Sequence, residues 1–174
     1  MKFIKTFLAS VALIVAASSA NAATGNFQGV GANNATDIII TEGVNLYNVG
    51  VNDVGVFNHV FNFTLPSLSD TDVTLNNIFL AFPYAVVLDI KDAKFSLWNT
   101  SGELASANAG ETFSLAALAA GSYSLKVTGT TAGNFGGSYS FAVNVTPVPE
   151  PSSAAMLLIG FAALGAVARR RKTL

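Results

Sequence analysis

The central part of the chain alternates apolar and polar residues with a period of two. In residues 56–65 every second residue, from Phe57 onward, is aromatic or aliphatic except His59, and the polar residues Asn58, Asn62 and Thr64 share the opposite parity. Successive side chains of a strand point to opposite faces of a sheet, so this period predicts a half-buried β-strand. The same alternation recurs around Phe95, around Phe113, and in residues 123–127 and 139–145.

Turn-forming residues separate these runs, at residues 69–70, 99–102, 119–121 and 128–137. Short alternating strands with turn signals at such spacing predict an all-β, antiparallel β-sandwich. Two further strands are expected in residues 37–41 and 46–51. Residues 115–120 have a helix-like pattern that is too short for a helix between two strands, and we interpret them as a turn at the rim of the sandwich.

The N-terminal residues 1–22 have the three parts of a secretory signal peptide. Lysines precede an apolar run over residues 7–17, and small residues follow it. The apolar run is shorter than a transmembrane helix requires. We expect signal peptidase to cleave between Ala22 and Ala23, with Ala20 and Ala22 in its narrow small-residue subsites.

The C-terminal residues 148–174 also have three parts in a fixed order. Val148, Pro149, Glu150 and Pro151 are followed by apolar and small residues over 152–168. Prolines cannot join a helix, and about 17 helical residues barely span a hydrocarbon core of about 30 Å. The tail ends with the basic residues Arg169, Arg170, Arg171 and Lys172. By the positive-inside rule we expect a C-terminal transmembrane helix that places residues 23–147 outside the inner membrane.

This tail resembles the PEP-CTERM protein-sorting tail of Gram-negative bacteria. In that family the tail implies recognition by an exosortase, a membrane-embedded enzyme that removes the hydrophobic helix near the Pro-Glu-Pro motif. The resemblance assigns residues 149–151 to recognition and residues 169–172 to stopping transfer through the membrane. It implies transient anchoring in the inner membrane and then delivery to the cell surface or the exopolysaccharide matrix. A permanent membrane anchor with a proline-rich stalk is the alternative.

A second resemblance concerns the domain between the two ends. Residues 57–61, Phe-Asn-His-Val-Phe, resemble the Phe-x-Asp-x-Phe motif of a subgroup of PEP-CTERM proteins, with His59 in place of the aspartate. Residues 118–127 and 136–139 are similar to the closing hairpin of that subgroup, and the first of these runs also resembles the end of bacterial pre-peptidase C-terminal domains. The resemblance implies a jelly-roll-like sandwich and brings no established activity.

Composition removes most catalytic chemistry from consideration. The chain has no cysteine and one histidine, and residues 23–147 carry three lysines against nine acidic residues, a net charge of −6. We therefore expect no cofactor, no metal, no nucleic-acid partner and no enzymatic activity. His59 lies among aromatic residues of the apolar parity and is interpreted as a core residue rather than a general base. Asp70 and Asp72 are interpreted as a solvated pair in a turn rather than as calcium ligands.

Trp98 is the candidate carbohydrate contact. Phe95 and Leu97 have the buried parity, and Trp98 comes directly after Leu97, so its side chain is expected on the outer face. Tyr123 and Tyr139, in contrast, share the buried parity. The leading hypothesis is an exported, non-enzymatic structural or adhesive protein of the cell surface or matrix. The alternatives are a polysaccharide-binding module, with exopolysaccharide as the partner, and a permanently membrane-anchored periplasmic domain. A hydrolase dependent on His59 is the least favoured.

Overall fold

A computed structural model describes residues 23–148, 156 and 158–162 of the chain. Residues 156 and 158–162 are helical, and twelve β-strands run through the first range. The strands are β1 (Thr24–Val30), β2 (Asn33–Asp37), β3 (Gly43–Val51), β4 (Gly55–Leu65), β5 (Ser69–Ile78), β6 (Leu80–Phe82), β7 (Ala85–Leu88), β8 (Ile90–Asn99), β9 (Gly102–Asn108), β10 (Thr112–Leu118), β11 (Gly121–Thr131) and β12 (Gly137–Pro147). The prediction of an all-β protein is confirmed.

Ten of these strands form two five-stranded sheets. The strand orders are β1-β3-β12-β5-β10 and β2-β4-β11-β8-β9, and β6 and β7 form a separate hairpin. Apart from β1 and β2, each sheet takes four strands in antiparallel pairs. These eight strands have the order of a jelly roll, in which most sequence neighbours lie in opposite sheets. The two sheets pack their apolar faces together and so enclose one core.

The first two strands depart from the antiparallel prediction. β1 pairs in parallel with β3, and β2 pairs in parallel with β4, each at the edge of its sheet. The strand expected over residues 37–41 is also misplaced, because β2 ends at Asp37. Residues 38–42 cross from one sheet to the other, so they cannot continue either ladder. Ile38 and Ile40 are still buried within this crossing.

The core is built from the alternating residues, and aromatic rings dominate its middle. Phe61 packs against Phe141 from the opposite sheet with ring centroids 4.7 Å apart, and Phe57 stacks on Tyr139 at 5.8 Å. Tyr123 and Tyr139 are buried, in agreement with their parity. Burial of such large rings removes apolar surface from water, which is the main force that holds the two sheets together.

Residues 115–120 do not form the expected rim turn. β10 continues to Leu118 and pairs with β5, so that only residues 119–120 leave the strand, and Phe113 of β10 stacks on Phe95 of the opposite sheet at 5.0 Å. The register shifts between Leu115 and Leu118, and Ala117 has a φ of 54°. A bulge in an edge strand therefore accounts for the helix-like spacing in the sequence.

The two ends of the sandwich differ in what they carry. At the end that we call the tail end, β4 finishes at Leu65 and β12 at Pro147, and the amide of Val148 donates to the carbonyl of Leu68 at 2.9 Å. At the opposite end, the distal end, β5 finishes at Ile78 beside the start of β12. The β6–β7 hairpin follows there, and the chain then returns along β8.

Candidate functional site

A groove of about 740 Å³ lies on the outer side of the second sheet toward the tail end. Its walls are the crossing residues 38–40, the end of β4, the end of β8 with Trp98, and the start of β11. The crossing segment forms one wall because it leaves the sheet at Asp37. Ile39 is 75% exposed there, so the groove offers apolar surface beside polar residues of the strands.

Trp98 is half-buried in this groove rather than freely exposed. Its indole Nε1 donates to Ser96 Oγ at 2.8 Å, which fixes the ring along its own strand. The ammonium of Lys126 lies 3.6 Å from the centroid of the ring, in a cation–π contact with one of its faces. The prediction that Trp98 contacts a sugar stays a prediction, and stacking can use only the ring face that Lys126 does not cover.

Polar groups line the groove next to the indole. Asn62 Nδ2 donates to Asp37 Oδ1 at 3.1 Å, and Ser124 Oγ donates to Asn62 Oδ1 at 2.8 Å. Ser124 is also the cross-strand neighbour of Trp98. An aromatic face beside hydroxyl, amide and carboxylate groups suits a ligand with one apolar face and several hydroxyls. Sequence parity predicted that Trp98 lies on the outer face. It could not predict the contact between Lys126 and the indole or the wall formed by residues 38–40, because these depend on the strand register and on the path of the crossing between the sheets.

The side chain of His59 lies in the core, and both of its ring nitrogens are hydrogen-bonded there. Its side chain is fully buried, with Nε2 2.9 Å from the carbonyl oxygen of Gly31 and Nδ1 2.7 Å from the hydroxyl of Tyr139. A carbonyl only accepts, so Nε2 carries the proton of a neutral ring and Nδ1 accepts from Tyr139. Burial lowers the pKa of His59, against the opposing effect of the bond to Gly31. Neither ring nitrogen is available to a substrate.

The acidic pair lies on a strand instead of in the predicted turn. Ser69, Asp70 and Asp72 belong to β5, which begins early because its first residues pair with the end of β12. Asp70 Oδ1 accepts from the amide of Ala117 at 2.8 Å, and Asp72 Oδ2 accepts from Asn144 Nδ2 at 3.3 Å. Among the described residues, no three or more histidine or acidic side chains are grouped so that they could hold a metal ion.

Most of the processing signals fall outside the described residues. These are Ala20 and Ala22 at the expected signal cleavage, Pro149, Glu150 and Pro151 of the sorting motif, and the cluster Arg169, Arg170, Arg171 and Lys172. Ala23 is the first described residue, and its carbonyl accepts from the amide of Leu46 at 2.9 Å. In the part of the tail that the structure covers, no helix is long and apolar enough to cross a membrane.

Several solved structures of bacterial proteins have a similar fold. PliG of Aeromonas hydrophila, a periplasmic inhibitor of g-type lysozyme, is 12% identical with a TM-score of 0.44 and covers 66% of this chain and 100% of its own. A mutant of the Escherichia coli PliG is 16% identical with a TM-score of 0.41 and the same coverage. The pre-peptidase C-terminal domain of Bacillus anthracis collagenase is 18% identical with a TM-score of 0.38, covering 63% of this chain and 94% of its own. At these values the likeness concerns the all-β fold alone.

The remaining comparisons concern the sequence. The search against curated proteins gave no match. Residues 147–172 match the family model of the PEP-CTERM protein-sorting motif, whereas the Phe-x-Asp-x-Phe subgroup is not confirmed. The matched range begins at the last residue of β12, so the motif directly follows the sandwich. The C-terminal tail of the chain therefore carries a PEP-CTERM protein-sorting motif, in residues 147–172.

Proposed function

We propose that this protein is exported, processed by exosortase at its tail, and deposited at the cell surface or in the exopolysaccharide matrix as a structural or adhesive component. In this proposal residues 1–22 are a signal peptide, residues 23–147 are the exported sandwich, and residues 148–174 are the sorting tail. The observation that carries it is the sorting motif that begins where the last strand of the sandwich ends.

The structure is compatible with removal of the tail. All twelve described strands precede Val148, and β12 is held between β3 and β5 up to its last residues. Cleavage near Glu150 therefore breaks no strand pairing. The released protein would keep its whole core, which a deposited structural component requires.

The test is the location of the full-length chain in its host. Glu150→Ala removes the central residue of the motif, and Glu103→Ala, an exposed glutamate of β9, serves as the matched control. We expect the wild-type protein and Glu103→Ala at the cell surface or in the matrix, and Glu150→Ala in the inner-membrane fraction. Equal retention of all three proteins in the membrane would favour the permanently anchored periplasmic domain.

A second candidate function is polysaccharide binding by the groove around Trp98. It is favoured by an aromatic ring that is fixed by Ser96 and Lys126 and bordered by the polar side chains of Asn62 and Ser124. Stacking of a sugar on such a ring buries apolar surface while the hydroxyl groups reach the polar residues.

Retention on the exopolysaccharide of the host tests this candidate. Trp98→Ala removes the ring, Trp98→Phe keeps a smaller one, and Val44→Ala changes an exposed apolar residue of the other sheet as a control. We expect loss of retention for Trp98→Ala, partial retention for Trp98→Phe and no change for Val44→Ala, with circular dichroism showing that all three variants are folded. Full retention of a folded Trp98→Ala protein would exclude the groove as the binding site.

A further inference from the structure

The distal end of the sandwich carries a group of exposed apolar side chains that we call the apolar tip. It consists of the β6–β7 hairpin, its preceding residue and a neighbouring loop residue. Phe79 is 64% exposed, Phe82 62%, Tyr84 100% and Phe135 72%, and Leu80 is 41% exposed between them. Aromatic side chains are costly to leave in water, so a group of them on one structural feature calls for an explanation.

Backbone hydrogen bonds join the members of the apolar tip. β6 pairs with β7 through Phe82 and Ala85, and Tyr84 lies in the turn between the two strands. The amide of Phe135 donates to the carbonyl of Val87 at 3.0 Å, which places the loop beside the other edge of β7. The outer edge of β6 pairs with no other strand that the structure describes.

The apolar tip also lacks charge. Residues 73–88 contain no lysine, arginine, histidine, aspartate or glutamate. Exposed edges of natural sheets are commonly protected by charged residues or by proline, and here only Pro83 in the turn has that character. A partner recognised through charge would find no complementary group on β6 or β7. A partner that presents the same uncharged surface needs no complementary charged group.

The exposed area is large enough for a specific contact. The four aromatic residues together expose the equivalent of about three whole side chains, and each such side chain buries about 150–250 Å². The apolar tip therefore offers roughly 450–750 Å² per molecule, compared with about 800 Å² per partner in standard interfaces. Two tips that buried all of this area would cover roughly 900–1,500 Å² in total, an upper bound that overlaps the range of specific complexes.

We propose that the apolar tip binds the apolar tip of a second copy of this chain, in a symmetrical, isologous dimer. Two identical uncharged surfaces satisfy each other about a two-fold axis, and the free edges of the two β6 strands lie at that surface. The contact uses the distal end, so it leaves the sorting tail and the groove around Trp98 free. The dimer goes beyond the proposed function and does not rest on it.

Cysteine crosslinking of the full-length chain tests the dimer, because the natural chain has no cysteine. Ala81→Cys places one small, exposed thiol in the middle of β6, and Ser101→Cys places one in the exposed turn at the tail end as the matched control. Copper phenanthroline is applied to fresh lysates, so that the result does not depend on where the protein resides. We expect a disulfide-linked dimer for Ala81→Cys, at least tenfold more abundant than for Ser101→Cys.

Two further variants in the Ala81→Cys background identify the surface. Replacing Phe79, Phe82 and Phe135 by serine should abolish the crosslink, whereas Val44→Ser with Leu46→Ser, exposed residues at the other end, should leave it unchanged. Equal crosslinking of Ala81→Cys and Ser101→Cys, or a crosslink that survives the triple serine replacement, would overturn the proposal. A crosslink from Ala81→Cys to another protein of the lysate, in place of a second copy, would assign the tip to a different partner and would also overturn it.

Discussion

The hydrogen bond between His59 and Tyr139 should contribute measurably to the stability of the sandwich. Both side chains are at most 1% exposed, and the Tyr139 hydroxyl lies 2.7 Å from His59 Nδ1. Tyr139→Phe keeps the ring and its stacking on Phe57 but leaves Nδ1 buried without a donor. An unsatisfied buried polar group costs about 1–3 kcal/mol. With a urea m-value of about 2 kcal/mol/M, the midpoint should fall by on the order of 1 M.

Urea unfolding of residues 23–148, followed by circular dichroism, measures this change. Tyr123→Phe is the matched control, because the Tyr123 hydroxyl donates to the carbonyl of Ala119, an exposed residue that water can reach after the change. We expect Tyr139→Phe to be the more destabilising of the two. His59→Leu with Tyr139→Phe should cost less than the sum of the single changes, since it removes both partners. Additive costs, or a smaller cost for Tyr139→Phe than for Tyr123→Phe, would refute the reasoning.

Two other predictions follow from buried or tightly packed positions. Burial lowers the pKa of His59, so the unfolded chain binds the proton more readily than the folded chain does. The contribution of neutral His59 to the free energy of unfolding is therefore fully present above about pH 6.5. It is lost as the pH falls toward the lowered pKa, by up to about 1.4 kcal/mol per pH unit. Urea midpoints between pH 7.5 and 5.5 should show this slope in the wild type and not in His59→Gln, and equal slopes would contradict it. Gly136→Ala and Gly110→Ala both place a β-carbon on a residue with φ near +85°, but only at Gly136 does it meet a neighbour, the carbonyl oxygen of Val51. Gly110→Ala should cost about 1 kcal/mol and Gly136→Ala clearly more, and equal midpoints would show that the turn at Gly136 relaxes freely.

Alternation predicted the parts of the fold in which each strand has one buried face. Residues 57–65 are an example, because every second side chain there meets the opposite sheet. The same rule failed at residues 37–41, where buried isoleucines belong to a crossing between the sheets, since burial alone does not require pairing with a neighbouring strand. It also failed at residues 115–118, where a bulge shifts the period of the edge strand.

The candidate site was predictable only in part, for a related reason. The parity of Trp98 follows from its own strand, but the ammonium of Lys126 reaches the indole through the register between β8 and β11. The apolar tip was missed altogether, although residues 73–88 form a long uncharged run that marks it in the sequence. An uncharged run predicts burial as readily as exposure, and only the projecting hairpin shows which of the two applies.

The most direct test of the account is the intact mass of the protein recovered from the membrane and from the extracellular matrix, with and without the exosortase of the host. We expect a matrix form that begins at Ala23, ends near Glu150 and depends on the exosortase. A single membrane-bound form that still carries residues 169–174 in both strains would contradict sorting and release, and would make the tail a permanent anchor.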